Sequence, residues 1–498
     1  MGIILRQSIV NTLLTYVGFG LGAVNTLVLY TRFLSDTYFG LVGVILSTGA
    51  LLMPLMAFGV PNTLVKFFSA NREAPHRNPF LTRMLLLPLV FILPLAVFSL
   101  LADEAIGSFL ARENAIVAEY VGHIFLIGLS MAYFEVFFAW SKVCLRSAFG
   151  TFLKEVFVRL GVSLLLFLLY FEVLSVAGFL RWLVGLYALR CLLMAVYALR
   201  LMPFRFRFRL PGDSREITVY SALILLGGSV SVLLLEVDRF MINQYIELAN
   251  VAYYTVAVFI ATVIIVPQRA MHQITYPITA ELLHAKDLSG LGSLYRKSSL
   301  ALLVAAGLIY LLILMNLEEL YLLLPENYRG GFTIVALIGA ARVFDSFLGI
   351  NAAILYNSRY YRMLLVFGLG LVLITIALNI WLIPRFGING AAWATFISIA
   401  AYNLVKLLFV RLKFGLVPWS RDTFRLIGVG VLTGALFLWL SFPFHPLVNI
   451  GLKSLLAALF YLGLVHRLGI AKDAFALLGR GFKKPDPGKK NPPRGPDN

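Results

Sequence analysis

The sequence predicts an all-α polytopic membrane protein of about fourteen transmembrane helices. It groups them as two six-helix lobes related by a pseudo-two-fold axis along the membrane normal, with two extra helices at the C-terminal end. Three observations predict this. Of 498 residues, 60% are hydrophobic and only 13% charged, and the mean hydropathy is +0.89. A soluble globule must cover its surface with polar groups and carries roughly a quarter charged residues, so soluble enzymes are excluded at the outset. Second, twelve to fourteen spans of ~20 residues consume about 240 to 280 residues, which leaves only short connections. Third, the connections alternate in charge from one end of the chain to the other.

The apolar runs lie at 9–31, 40–64, 84–102, 117–140, 156–174 and 178–199 (spans 1 to 6). They continue at 217–240, 251–273, 298–316, 332–355, 363–383 and 389–410 (spans 7 to 12), then at 426–442 and 449–466 (spans 13 and 14). Arg6 precedes the first run, which reaches Tyr30 without a small-residue cleavage site and is read as a span rather than a signal peptide. One set of connections holds Lys66, Arg72, Arg77, Arg83, Lys142, Arg146, Lys154, Arg200, Arg205, Arg207, Arg209, Arg215, Lys286, Arg296, Lys297, Arg359, Arg362, Arg411, Lys413, Arg421 and Arg425. The other is short and acid-leaning: Asp36, Asp103, Glu104, Glu113, Glu172, Glu247, Glu318, Glu319 and Glu326. Basic loops stay on the cytoplasmic side, so both termini are expected there and the span count is expected to be even. The net charge of +18 then reflects anionic lipid headgroups rather than nucleic acid. Cys144 and Cys191 form no disulfide framework.

The expected organisation is an N-terminal lobe at 1–210, a C-terminal lobe at 211–415, an appended pair at 416–470 and a basic, disordered tail at 471–498. The connector at 200–216 interleaves Arg with Phe and ends in a Pro-Gly turn; its arginines should face lipid phosphates while its rings dip into the interface. The division after span 6 rests on an internal echo. Thr31-Arg32-Phe33-Leu34 ends span 1, and Asp238-Arg239-Phe240-Met241 ends span 7; a proline follows each arginine 29 and 28 positions later, at Pro61 and Pro267. Parallel repeats of this kind place a cavity between the lobes.

No metal-ligand spacing, P-loop or nucleophile motif is present, and the six histidines are scattered, so no cofactor and no catalytic role are expected. Charges inside apolar runs carry more information, because an uncompensated ion in hydrocarbon costs at least ~2.5–3.5 kcal/mol. Arg269 follows Pro267 in span 8 and either lines a polar cavity or pairs with an unseen carboxylate. Arg32 and Arg239 sit at the outer ends of spans 1 and 7, where snorkelling is the alternative to substrate contact; Glu236 and Asp238 lie close to Arg239. Arg342 and Asp345 are expected to pair along one helix. Glu135 and Lys406 are single charges in apolar runs, each read as a relay, a buried-pair member or a consequence of where the span ends are drawn. Asn11 is either a cavity group or interhelical glue. Gly18, Gly20 and Gly22, with Gly227 and Gly228, mark close packing or bending.

Three blocks of residues resemble one family. They are Asn11-Thr-Leu-Leu with Tyr30-Thr-Arg-Phe-Leu-Ser-Asp-Thr-Tyr-Phe-Gly40; Glu236-Val-Asp-Arg-Phe-Met-Ile-Asn with Val251-Ala-Tyr-Tyr-Thr-Val-Ala; and Leu382-Ile-Pro-Arg-Phe-Gly-Ile-Asn-Gly-Ala-Ala-Trp-Ala-Thr395. Together they are similar to the Wzx-type polysaccharide flippases of the multidrug/oligosaccharidyl-lipid/polysaccharide exporter superfamily. Asn243-Gln-Tyr departs from the glycine that family would have there. The resemblance implies alternating-access transfer of an isoprenoid (undecaprenyl) pyrophosphate-linked oligosaccharide to the outer leaflet of a bacterial inner membrane, for O-antigen or lipopolysaccharide synthesis. Asn11, Arg32, Arg239 and Arg269 are the expected substrate contacts. Membrane lipids, a coupling ion (H⁺ or Na⁺) and the polysaccharide polymerase machinery are the expected partners. The alternatives are a peptidoglycan-precursor flippase or a small-cation antiporter of the same superfamily, and a polytopic glycosyltransferase or polymerase. No outer connection exceeds about twenty residues, which leaves such an enzyme little room.

Overall fold

The computed structural model describes residues 3–208, 214–228 and 230–470, and among these the regular structure is entirely helical. The C-terminal tail and part of the 200–216 connector lie outside the described residues. Span 1 is Ile3–Val24, a π-helical turn at Asn25–Leu29 and Tyr30–Phe33. Span 2 is Asp36–Ala57 with Val60–Phe67, span 3 is Ala74–Leu86 with Leu89–Leu101, and span 4 is Val121–Val143. Span 5 runs from Ala148–Phe152 through a π turn at Leu153–Phe157 to Val158–Tyr170, and span 6 is Val176–Leu201. Span 7 is Ser214–Gly228 with Val230–Tyr245, span 8 Ala249–Thr262 with Val266–His284, span 9 Leu288–Met315 and span 10 Phe332–Phe347 with Asn351–Tyr356.

Spans 11 and 12 form one run, Tyr361–Phe414, broken at Gly387, whose φ of 57° and ψ of −138° are not helical. The break follows Pro384 by three residues, and a Cβ on Gly390 would lie 2.2 Å from the Leu382 carbonyl oxygen. Only glycine lets the chain double back so tightly. Spans 13 and 14 are Arg421–Phe437 and Pro446–Arg467. Nine of the helices among the described residues are long and apolar enough to cross a membrane by length and composition alone, the 54-residue run counting once. The other passages are shorter, interrupted or charge-bearing, as with Lys154, Glu155 and Arg159 in span 5.

Contacts through space respect the charge alternation. Asp36, from an acid-leaning connection, accepts from Tyr253 Oη at 2.7 Å and Asn327 Nδ2 at 2.9 Å. The Asn114 amide donates to the Asn243 and Ile246 carbonyls and its oxygen accepts from the Leu248 N–H. At the basic face Thr63 and Ser221 share a hydrogen bond of 2.8 Å. The repeat is also visible in the packing. Span 2 packs on 4 and 4 on 6, as 8 packs on 10 and 10 on 12. The lobes meet where span 2 crosses spans 7 and 8, over a shared core that includes Tyr30, Phe39, Val237, Leu248 and Val251. Gly40 allows that approach: a Cβ there would stand 1.9 Å from the Leu248 oxygen. Asn243, where the family resemblance called for glycine, donates to the Leu110 carbonyl at 2.9 Å and so joins the lobes at the acidic face.

Spans 13 and 14 pack on span 9. Buried Lys453 holds them there, with Nζ 2.5 Å from the Met315 oxygen and 3.7 Å from Glu319 Oε1. Asn449 donates to the same carboxylate at 2.9 Å. Removing one partner of a buried pair leaves an uncompensated charge, at a cost of about 3–5 kcal/mol, whereas replacing both is far milder. Lys453→Met should therefore lower the thermal midpoint of the detergent-purified protein, and Lys453→Met/Glu319→Gln should recover most of the loss. Equal loss in both would show that the pair contributes nothing beyond packing.

Candidate functional site

Two cavities whose linings carry charged side chains open into the helical body. In span 2, Phe58 and Gly59 both adopt left-handed backbone (φ 48° and 66°) between Pro54 and Pro61, ending one helix and starting the next. The bend walls a cavity of about 260 Å³ between the lobes, lined by Pro54, Gly59 and Asn62 of span 2, Glu135 and Lys142 of span 4, Lys154 of span 5 and Leu225 and Val232 of span 7. Lys154 Nζ lies 2.5 Å from Glu135 Oε1. It is carried by the π turn of span 5, a local widening that often marks functional positions. Lys142 rests over the Phe138 ring at 4.0 Å. One carboxylate thus faces two ammonium groups. Behind them Arg190 of span 6 stacks over Phe134 at 4.2 Å and Tyr187 at 4.7 Å, within the field of Glu135 and Glu155.

The second cavity, about 320 Å³, lies among spans 7, 8, 10, 11 and 12, lined by Gln268, Arg269, His272, Arg342, Asp345, Tyr402 and Lys406 among others. Asp345 accepts from Gln268 Nε2 at 3.2 Å and stands 3.6 Å from Lys406 Nζ, which in turn sits 4.3 Å above the Tyr402 ring. His272 Nε2 lies 3.1 Å from the Gly349 carbonyl. The direct partner of Asp345 is thus Lys406 of span 12, which corrects the expected pairing with Arg342; a partner across the lobe holds the carboxylate while Arg342 lines the same space. The two cavities echo each other. A carboxylate on the fourth span of each lobe (Glu135, Asp345) answers a cation on the sixth (Arg190, Lys406), and a tyrosine one turn earlier (Tyr187, Tyr402) lies beneath each cation. Both cavities carry more basic than acidic groups.

Two further half-buried pairs lie outside the linings of both cavities, Arg159–Glu155 at 2.9 Å in span 5 and Arg239–Glu236 at 2.6 Å in span 7. Arg239 Nε also donates to Thr255 at 3.0 Å. Gly18 and Gly22 open the slot that Arg159 fills, whereas Gly20 faces open space. Gly227 and Gly228 end the first segment of span 7, and their packing lies outside the described residues. Asp238 turns away from Arg239 into the C-terminal lobe and accepts from Tyr254 Oη at 2.6 Å, from Asn379 Nδ2 at 2.8 Å and from the Thr395 hydroxyl.

Of the four expected contacts, only Arg269 lines one of these cavities. Asn11 donates to Ser147 Oγ at 2.9 Å, a bond between spans 1 and 5. Arg32 is exposed at the acidic face and reaches the Leu323 carbonyl at 3.4 Å. Arg239 is neutralised by Glu236. Lys142, Lys154, Arg159, Arg190 and His272 were not expected at a site. Arg159 and Arg190 carried the signal that singled out Arg269, a cation inside an apolar run; Lys142 sits at a helix end, and Lys154 precedes the apolar run of span 5, so both read as loop charges.

A family model described as polysaccharide biosynthesis protein matches residues 4–283. The chain belongs to this polysaccharide biosynthesis protein family. No curated protein matches it. Among solved structures, this family member is similar to lipid II flippase MurJ in an inward closed conformation, with a TM-score of 0.71 and 14% identity over 93% of this chain and 100% of that one. An inward-facing multidrug resistance MATE transporter of the MOP superfamily aligns with a TM-score of 0.62 and 16% identity, over 81% and 94% of the two chains. A MOP superfamily transporter from Pyrococcus furiosus gives 0.59 and 16%, over 83% and 95%. At such identities the likeness establishes the fold, that of multi-pass membrane transporters, as the three sequence blocks implied.

Proposed function

We propose that this protein flips an isoprenoid (undecaprenyl) pyrophosphate-linked oligosaccharide from the cytoplasmic to the outer leaflet by alternating access. The setting is surface polysaccharide or lipopolysaccharide (O-antigen) synthesis at a bacterial inner membrane, with both termini cytoplasmic and no bond made or broken. The two lobes at 1–210 and 211–415 are the moving bodies. One observation carries the reading: two cavities inside an apolar helical body, each with cations in excess of carboxylates. Every sugar hydroxyl costs several kcal/mol to dehydrate without a replacement partner, and a polar cavity supplies those partners while the lipid tail stays in the bilayer. Guanidinium groups suit pyrophosphate because their fork binds two oxygens at once. In the resting protein Glu135 and Asp345 neutralise part of the cationic lining, so an arriving phosphate exchanges one anionic partner for another. An interior-negative potential favours moving one negative charge outward by ~2.3 kcal/mol per 100 mV.

Arg269, with Arg342 and Lys406 beside it, is the proposed pyrophosphate contact; Arg239 is the proposed contact outside both cavity linings, and Arg32 the one at the exit. A small-cation antiporter calls for acidic cavity groups, and each cavity offers a single carboxylate against at least two cations. In cells lacking the protein, completed lipid-linked units should accumulate on the cytoplasmic leaflet and surface polymer should disappear. At matched expression, Arg269→Gln should cut transport at least about tenfold, the effect of losing a bidentate charged contact. Incomplete units in the deletion cells would point to an enzyme instead, and unchanged transport in Arg269→Gln, Arg239→Gln and Arg32→Gln alike would remove the contact assignment.

A further inference from the structure

We propose that the basic face carries a binding site for one anionic phospholipid of the surrounding bilayer, with its phosphate between Arg83 and Arg207 and an acyl chain along span 3. The chain leaving span 6 has no regular structure over 203–208 and alternates Phe204, Arg205, Phe206, Arg207 and Phe208. It is fastened to span 3 at points one turn apart: the Arg205 N–H donates to Asn78 Oδ1 at 3.5 Å and the Arg207 N–H to Thr82 Oγ1 at 3.0 Å. Phe204 anchors it inward, edge-on to the buried Trp140 at 5.3 Å. Phe206 and Phe208 remain 61% and 79% exposed, the placement of rings that enter the interfacial zone beside headgroups.

Between this strap and span 3 lies a cavity of about 300 Å³, lined by Thr82, Arg83, Leu86, Val90, Arg207 and Phe208 among others. The interruption of span 3 between its segments ending at Leu86 and beginning at Leu89 shapes it. Arg83 and Arg207 line it together with apolar Leu86, Leu87 and Val90, and Leu86 and Val90 are exposed. A phosphodiester joined to a hydrocarbon chain combines the groups that complement both. Paired guanidinium groups favour a phosphate over a choline headgroup's positive end. The pyrophosphate of the transported lipid shares the phosphate chemistry. The wall of exposed span-3 residues lies outside both central cavities, which favours a bulk phospholipid. Arg83 also donates to Thr218 Oγ1 at 2.5 Å in the first turns of span 7, so a lipid held here would sit against the joint between the lobes.

Native mass spectrometry of the purified full chain, titrated with phosphatidylglycerol or phosphatidylcholine, tests the site. Phosphatidylglycerol should give a retained single adduct, with occupancy at least about fivefold above phosphatidylcholine, as expected for a headgroup bound through two guanidinium groups. Arg207→Gln should remove that preference. Val90→Trp, which fills the apolar wall at an exposed position and leaves both arginines in place, should remove the adduct while the protein elutes as before in size exclusion. Equal occupancy by the two lipids, or an adduct indifferent to both substitutions, would overturn the proposal. Displacement of the adduct by micromolar inorganic pyrophosphate would assign the site to the transported headgroup and overturn the choice of a bilayer phospholipid.

Discussion

Gly40→Ala is expected to abolish transport while Gly20→Ala leaves it intact. Both glycines lie in or beside sequence blocks that run through spans 1 and 2, yet their surroundings are opposite. A methyl group on Gly40 would meet the Leu248 carbonyl oxygen at 1.9 Å and its carbon at 2.8 Å, whereas one on Gly20 meets nothing within 4 Å. Leu248 presents backbone there, which cannot swing aside as a side chain can. Spans 2 and 8 would have to part by more than an ångström. That displacement would loosen the bonds Asp36 and Asn114 make across the lobes, with an overpacking cost of about 1–3 kcal/mol. A cysteine placed at Val251, fully buried beside this contact, reports the opening. In a background without Cys144 and Cys191, a membrane-impermeant maleimide should label it in Gly40→Ala and not in the parent or in Gly20→Ala. Labelling that stays absent in Gly40→Ala would mean that the lobes close by some other contact.

The second large effect concerns stability in the C-terminal cavity. Asp345→Ala leaves the Lys406 ammonium, 5% exposed, with the Tyr402 ring as its remaining close partner. Breaking a buried pair in this way costs about 3–5 kcal/mol, and replacing both members by apolar residues costs far less. The thermal midpoint of Asp345→Ala should fall by several degrees, and that of Asp345→Ala/Lys406→Met should return most of the way. If the double variant melts no higher than the single one, the pair has no coupling and the cavity is held by Gln268 and packing alone.

The all-helical fold and its apolar spans were legible because hydropathy is a property of contiguous stretches. The turn at Gly387 was legible for the same reason, since Pro384 and Gly387 sit three residues apart. Partnerships were not. Glu135 finds Lys154 on the next span, and Asp345 finds Lys406 61 positions away; neither separation has a period that one helix can display. Arg342, three residues before Asp345, satisfied the helical rule and was nonetheless not the direct partner, because span 12 brings a second cation to the carboxylate from across the lobe. Gly40 was quoted as part of a resemblance, but its reason is a carbonyl on span 8. Asn243 looked like a departure from pattern; it is an interlobe bond to Leu110.

The clasp at Lys453 has a consequence for motion. It fastens spans 13 and 14 to span 9, so any rocking of the lobes pits six helices against eight. In a fluid bilayer two bodies turning against each other share the angle inversely to their drag. If the lobes rock as proposed, the N-terminal lobe is the lighter rotor, and a fluorophore on span 3 should reorient relative to the membrane normal more than one on span 13. Under the proposed alternating access the appended pair would act as ballast, with the C-terminal lobe as the stator.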